Sequence, residues 1–483
     1  MALSFVKSTE RGEPVVSTSS AREATVSWRD AKRYLWIFGL AMPLLPFLAV
    51  VGHQVSGWGV WLWLGPIVIL GIVPLIDWTA GLDPSNPPDD VIKSLEDDRY
   101  YRWLTYLFLP LQYAGFVFAF WYIATGDLSV LDQVGLAVTV GFIGGLGINT
   151  AHELGHKKES HERWLSKIAL AQTFYGHFYI EHNRGHHVRV STPADPASSR
   201  VGESFYRFWP RTVAGSFASA WRLEAKRYAR RSQHPWRLGN DVLNAMLMSI
   251  VLWAVMVIWL GPGILPFLVI QAVVGLTLLE AVNYLEHYGM LRQIVGVPGK
   301  ERFERVEARH SWNSNNIATN VLLYHLQRHS DHHSHPTRRF QALRDAKDAP
   351  ALPTGYAGMI LLALVPPLWN RVMDPRVAAH YDGDMGLANI QPGKRERVMR
   401  RFPQQSVRVE PVLQDSVTGS VAVLTGGDLV ALCPGCGYTY DERVGDTREG
   451  FPAGTPFARI PDGWCCPDCG VREKVDFVIT SLQ

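Results

Sequence analysis

Nine of the chain's 17 histidines fall into four short motifs: HELGH at 152–156, EHNRGHH at 181–187, NYLEHYG at 283–289 and HSDHH at 329–333. Taken alone, H-E-x-x-H on a helix is a zinc protease signature, with two imidazoles one turn apart and a glutamate set as general base. The other motifs change that reading. Residues three or four apart on a helix share a face. His152 and His156, His182 and His186, and His329, His332 and His333 are therefore each expected to converge from one helix. With His187 and His287 the set numbers nine. A catalytic zinc takes three protein ligands and a water, so nine imidazoles exceed its needs. Two ions with four or five imidazoles each use the set fully, and imidazole suits zinc, copper, iron and nickel. Glu153, Glu181 and Glu286 each adjoin a motif histidine, and Asp331 lies inside the last motif. A helical neighbour points away from the histidine's face, so these carboxylates are expected to orient imidazoles or pair with Lys and Arg, not to ligate. The other eight histidines (53, 161, 177, 234, 310, 325, 335 and 380) fit no motif.

All five cysteines lie between Cys433 and Cys469, and four form two C-x-x-C knuckles, Cys433/Cys436 and Cys466/Cys469. Two knuckles about thirty residues apart make a tetrahedral thiolate site for zinc or iron. Their confinement to the end of the chain argues against a secreted disulfide scaffold.

The elements that position these residues follow from hydropathy. A membrane-crossing helix needs about 20 mainly apolar residues. Six runs qualify, near 34–54, 58–76, 103–123, 130–151, 243–261 and 263–286, and they pair as three hairpins. The hairpin turns, near GHQVSGWG, ATGDLS and GPG, contain no Lys or Arg, whereas residues 1–33 hold six and 152–242 is rich in Arg and His. The positive-inside rule then places both termini and all four histidine motifs on the cytoplasmic side. A shorter apolar run at 164–180, interrupted by Lys167, Gln172 and His177, is expected to be re-entrant or interfacial. The polar first thirty residues lack the apolar core of a signal peptide. A net charge of +3 gives no case for nucleic-acid binding. Beyond GKRERVMRRF and a Ser/Val-rich linker, a compact domain begins near Gly427.

HELGHK, EHNRGHH, NYLEHYG and LQRHSDHHSHPTRRFQ, set between apolar hairpins, resemble the membrane alkane 1-monooxygenases, part of a histidine-rich diiron class that includes the fatty-acid desaturases and xylene monooxygenase. CPGCGYTYDE and GTPFARIPDGWCCPDCG, with Tyr438, Tyr440, Phe457 and Trp464 as a small aromatic core, resemble rubredoxin. The first resemblance implies an all-α integral membrane domain whose nine motif histidines bind two irons and which inserts one atom of O2 into the terminal C–H bond of an n-alkane. The second implies one iron on Cys433, Cys436, Cys466 and Cys469. Cys465 stands where rubredoxins carry an apolar residue and is read as a bystander. The implied partners are the alkane, O2, an NADH-dependent flavoprotein rubredoxin reductase and the bilayer, with the bacterial inner membrane as location. The implied organisation is a cytoplasmic segment 1–33, a membrane diiron domain 34–390, a linker 391–427 and a rubredoxin domain 428–483.

The redox module that the rubredoxin resemblance implies also separates the rivals. Hydrolysis by a membrane zinc protease uses no electrons. A redox relay with histidine-bound haem lacks a C-x-x-C-H motif. A fatty-acid hydroxylase or desaturase of the same class shares the metal site and differs in its substrate channel. Two further expectations concern mechanism. Bulky side chains on the membrane helices, not the histidine loops, are expected to set chain length, on the aromatic density of the early spans as in VWLWLG at 60–65. The last 56 residues (nine Asp/Glu, five Lys/Arg) dock by charge on a remainder of net +7.

Overall fold

The computed structural model describes residues 28–298, 301–403, 429–470 and 472–481. Each of the six apolar runs is helical: Leu35–Ser56, Gly59–Ala80, Arg99–Thr125, Val130–Gly155, Asp241–Leu260 and Pro262–Glu286, with mean hydropathy between 1.5 and 2.2. Local chemistry sets their ends. Asp98, Ser129 and Asn240 cap the third, fourth and fifth spans by accepting hydrogen bonds from first-turn amides. Gly57 turns the first hairpin with a positive φ of 73°.

The fourth span is central. Of its most apolar stretch 83% is buried, against 22% for the second and fifth. Small residues make this possible: a Cβ added at Gly141 or Gly145 would lie 2.6 Å from Val274 or 2.8 Å from Leu278 on the sixth span. Close helix contact through small residues is what holds helices together where lipid offers no hydrophobic drive.

Residues 164–180 turn back along this centre. The helix Ser160–Ala171 ends at Gln172. Gln172 accepts from Gln112 Nε2 at 2.8 Å in the third span, and its carbonyl accepts from Gln271 Nε2 at 2.7 Å in the sixth. Three glutamines thus link this segment to the third and sixth spans.

Beyond the span ends lies a layer whose core includes Phe208, Tyr284, Tyr288, Trp312, Trp369 and Met373. A buried ion network ties the last histidine motif to the start of the first span. Arg328 Nη2 donates to Asp83 Oδ2 at 2.8 Å, and Lys32 pairs with the same carboxylate. At the start of the expected linker, Arg395–Arg401 is helical and buries Val398 in this core. Residues 404–428, which contain the rest, lie outside the described residues.

The C-terminal unit is a three-stranded antiparallel sheet in the order Thr439–Asp441, Leu429–Leu432, Val478–Ser481. Tyr440, Phe451, Phe457, Trp464 and Phe477 fill its core beside the cysteines, and Tyr438 packs at the edge.

Candidate metal centres

The nine motif histidines gather in two buried sets, His152, His156, His182, His187 and His332 in one, His186, His287, His329 and His333 in the other. The motifs do not each serve one site. His332 leaves its neighbours His329 and His333, and His186 parts from His182 and His187. The expectation that His182 and His186 share a face is corrected by a π-turn at His182–His186, closed by the His187 amide donating to the His182 carbonyl. In such a turn residue i+5, not i+4, comes round to the same side.

The geometry fits metal ions. His332 Nε2 is 2.9 Å from His152 Nε2 and 3.1 Å from His187 Nε2, which is itself 3.1 Å from His182 Nε2. In the second set His329 Nε2 is 2.9 Å from His333 Nε2 and 3.3 Å from His287 Nε2. A neutral imidazole nitrogen offers one hydrogen or one lone pair, so a nitrogen facing two others is poorly served by hydrogen bonds alone. A central cation serves all of them. An octahedron with metal–nitrogen bonds of about 2.1 Å has edges of about 3.0 Å, the separation seen here. His156 Nε2 and His186 Nε2 are buried without a hydrogen-bond partner. Burial, the first cause, and mutual repulsion hold His156, His182, His187, His329, His332 and His333 well below the usual imidazole range, and His287 at about 3. They are therefore neutral, as a metal ligand must be.

The carboxylates divide. Glu153 pairs with Lys157 at 2.9 Å, Glu181 with Arg189 at 2.8 Å and Asp331 with Arg338 at 2.8 Å. Glu286 faces the second set, with Oε2 3.2 Å from His329 Nε2. A carboxylate outside the motifs that does orient a motif imidazole is Asp195, whose Oδ2 meets His186 Nδ1 at 2.9 Å and accepts from Ser198 Oγ at 2.6 Å. Asp195 carries no motif and lies nine residues from its partner, so nothing in the sequence marks it. Among the remaining histidines, His310 pairs with Glu304, His325 with Asp83, and His335 with Asp331 at the surface.

A cavity of about 70 Å³ opens on both sets. His152, His182, His329, Glu286, Thr319 and Tyr356 form its inner end. Ile69, Val73, Leu146, Leu278 and Leu279 form its length. The aromatics at 60–65 do not line it. Trp61 packs over Gly52 and Trp63 over Gly135, toward the far end of the bundle. From Glu286 to Leu278 is eight residues, about 12 Å along the helix. Ile69→Trp should cut turnover of long chains roughly tenfold while sparing short ones, and Leu278→Ala should extend the accepted length, since a methylene in such a pocket is worth about 1–3 kcal/mol. The check is the product profile from a mixed pool of chains.

In the cysteine unit, Cys433 Sγ lies 3.8 Å from Cys469 Sγ and Cys436 Sγ 3.5 Å from Cys466 Sγ. Tetrahedral metal–thiolate bonds of about 2.3 Å imply edges of about 3.8 Å. Burial pushes the Cys465 thiol up to about 12, so it stays protonated.

Both knuckles face the histidine layer. Lys158 Nζ donates to the Cys436 carbonyl. Gly470, with φ 67°, approaches so closely that a Cβ there would lie 2.5 Å from the Asn183 carbonyl and 3.5 Å from His187 Cβ. Glu449 is clamped by Arg184 at 2.6 Å and Arg230 at 3.0 Å, Arg448 reaches Asp241 at 3.1 Å, and Arg305 pairs with Asp476. Burial alone would raise the Glu449 carboxyl, but these arginines hold it below the usual range.

Six spans, two imidazole cages at the end of an apolar cavity and a thiolate centre seated against one cage together define a multi-pass membrane oxidoreductase of the histidine-rich diiron class. The fatty acid desaturase family model matches residues 133–363, and the rubredoxin model matches 431–477. Alkane 1-monooxygenase 1 of Alcanivorax borkumensis is 46% identical over 373 residues, 77% of this chain and 92% of the relative. Alkane 1-monooxygenase of Ectopseudomonas oleovorans is 46% identical over 377 residues, 78% and 93% of the two chains. The xylene/toluene monooxygenase hydroxylase component of Pseudomonas putida is 26% identical over 380 residues, 77% and 94%. The chain belongs to the alkane 1-monooxygenase family.

Proposed function

We propose that this chain hydroxylates the terminal carbon of n-alkanes with O2, drawing electrons through its own rubredoxin domain. The observation that carries the reading is the cavity: apolar along its length, closed at its inner end by both histidine sets, and free of Lys or Arg among its lining residues. A fatty-acid desaturase reading is favoured by the family model at 133–363, but no Lys or Arg of this lining would meet a free carboxylate.

His152, His156, His182, His187 and His332 are read as holding one iron, His186, His287, His329 and His333 the other, and Cys433, Cys436, Cys466 and Cys469 the third. The paired irons supply the activation of O2 when bound. The rest falls to the chain. Aliphatic side chains align the hydrocarbon end-on and exclude water, which is why selection is by length and shape. Asp195 fixes the His186 ring through Nδ1 and leaves Nε2 free for metal. Glu286 Oε1, buried and without a hydrogen bond, can accept one from the new hydroxyl. The balance is one alkane, one O2, two electrons and two protons to one alcohol and one water. Glu153, paired with Lys157, is not free to serve as the base of a zinc protease.

The finer reading adds an NADH-dependent flavoprotein rubredoxin reductase, a bacterial inner-membrane location with the histidine motifs and rubredoxin cytoplasmic, and the division 1–33, 34–390, 391–427 and 428–483. Its sidedness is supported by the lysine- and arginine-free hairpin turns and by the basic segments at the opposite ends of the spans. Purified enzyme with reductase, NADH and a pool of n-alkanes should yield 1-alkanols. Metal analysis should give about three irons per chain with little zinc, one for the four thiolates and one for each imidazole cage. Stoichiometric zinc in active enzyme, or unsaturated products in place of alcohols, would overturn the reading.

A further inference from the structure

The apolar segment YAGMILLALVPPLW at 356–369 is too short for a seventh span, yet it carries exposed apolar side chains outside the six. It folds as a hairpin of two helices, Tyr356–Ala363 and Pro366–His380. The first starts beside Asp77, near the end of the second span, where Gly355 packs against the Asp77 carboxylate. It then runs along Ile67–Ile72, deeper into that span's apolar length. Eight residues advance about 12 Å, well short of a bilayer core of about 30 Å. The second helix returns, with Trp369 against Tyr284 and Tyr288 and His380 beside Trp312.

The faces of the hairpin differ. Tyr356, Ala357 and Ile360 line the metal cavity. Leu361, Leu364, Val365 and Leu368 are 36–50% exposed. They continue the exposed apolar surface of the second span, formed by Ile72, Leu75, Ile76 and Trp78. Tyr206, itself exposed, donates to the Leu364 carbonyl at 2.8 Å, as tyrosines do at membrane boundaries. Arg371 and Arg376 are exposed on the returning helix, five and ten residues past Pro366, about 7 and 15 Å along it. Apolar tip, boundary tyrosine and then arginines is the order met on passing from acyl chains to headgroups.

We infer that residues 355–368 are a re-entrant membrane element whose outer face lies among the acyl chains of one leaflet, with Arg371 and Arg376 meeting its anionic headgroups. The inference deepens the proposed function by placing a single helix between the cavity and the hydrocarbon phase. Its test does not depend on the reaction.

Iron-loaded full-length chain carrying Cys465→Val would be reconstituted in nanodiscs of mixed anionic and zwitterionic lipid. Spin labels would be placed singly at Leu364→Cys and Leu368→Cys, with Leu75→Cys as the span reference and Val444→Cys as the aqueous one. The ratio of collisions with O2 to collisions with a water-soluble nickel chelate reads depth. Positions 364 and 368 should match position 75, with ratios on the order of tenfold above position 444 for a label buried in acyl chains. Ratios equal to those at position 444 would overturn the embedding. Arg371→Gln with Arg376→Gln should move the labels toward water in anionic discs alone. An equal effect, or none, in purely zwitterionic and anionic discs would overturn the headgroup contact.

Discussion

Replacing His332 with alanine abolishes alkane hydroxylation and leaves the visible absorption of the thiolate-bound iron intact. His332 is the test because its Nε2 touches two others of its set, His152 and His187. Its loss removes a vertex shared by two edges of one cage. The fall in rate should exceed the roughly 10–100-fold that follows loss of a group supporting a metal ligand, which is the size expected for Asp195→Asn. Iron should drop from about three per chain toward one or two while the thiolate bands persist, since the cysteine unit has its own aromatic core. His335→Ala, three residues away with a half-exposed side chain paired with Asp331, should change the rate little. Retention of hydroxylation within tenfold in the His332 variant would remove this imidazole from the centre. Loss of the thiolate bands along with activity would point to a folding defect.

Cutting the chain near residue 425 and supplying the rubredoxin separately makes turnover steeply salt-dependent. The contact is built from Glu449 with Arg184 and Arg230, Asp476 with Arg305, and Arg448 with Asp241. The domain carries −4 and the remainder +7. Complementary charge raises encounter rates and orients partners, and the Debye length shrinks from about 10 Å at 0.1 M salt to about 3 Å at 1 M. The two-piece enzyme should lose most activity between about 50 and 500 mM salt. The fused chain should lose much less, because a tether of a few dozen residues holds the local concentration on the order of millimolar. Glu449→Gln should lower the two-piece rate at low salt and flatten its salt profile. Equal salt sensitivity of fused and divided enzyme, with reductase in excess, would mean that charge does not guide the docking.

The spans were legible because a lipid-facing helix must be long and apolar throughout, and the histidines because ligand spacing on a helix is short-range. The cysteine pairs were legible for the same reason. What was hidden depended on contacts between distant segments. Nothing local tells His332 from His329 and His333, since the division of that motif depends on where the other six imidazoles arrive. Asp195 has an ordinary sequence context, and only folding brings its carboxylate to His186. The hairpin at 356–369 fell below the length that marks a span. The aromatics at 60–65 are not among the cavity's lining residues, because density of tryptophan says nothing about which side of a helix meets the cavity.

The π-turn at His182–His186 gives this stretch an uneven tolerance to genetic change. Its five residues place His182 and His187 on one cage and His186 on the other, so the turn works as a spacer between the two cages. Removal of a single codon there would let the backbone relax to an ordinary α-turn. His182 and His187 would then stand four residues apart and still share a side, but the widened turn that directs His186 to the second cage would be gone. Substitutions at Asn183 or Arg184 keep the count and can be absorbed. Across natural variation, the interval between these histidines should therefore be fixed in length even where its letters drift, and frame-preserving deletions should be selected against as strongly as loss of a histidine.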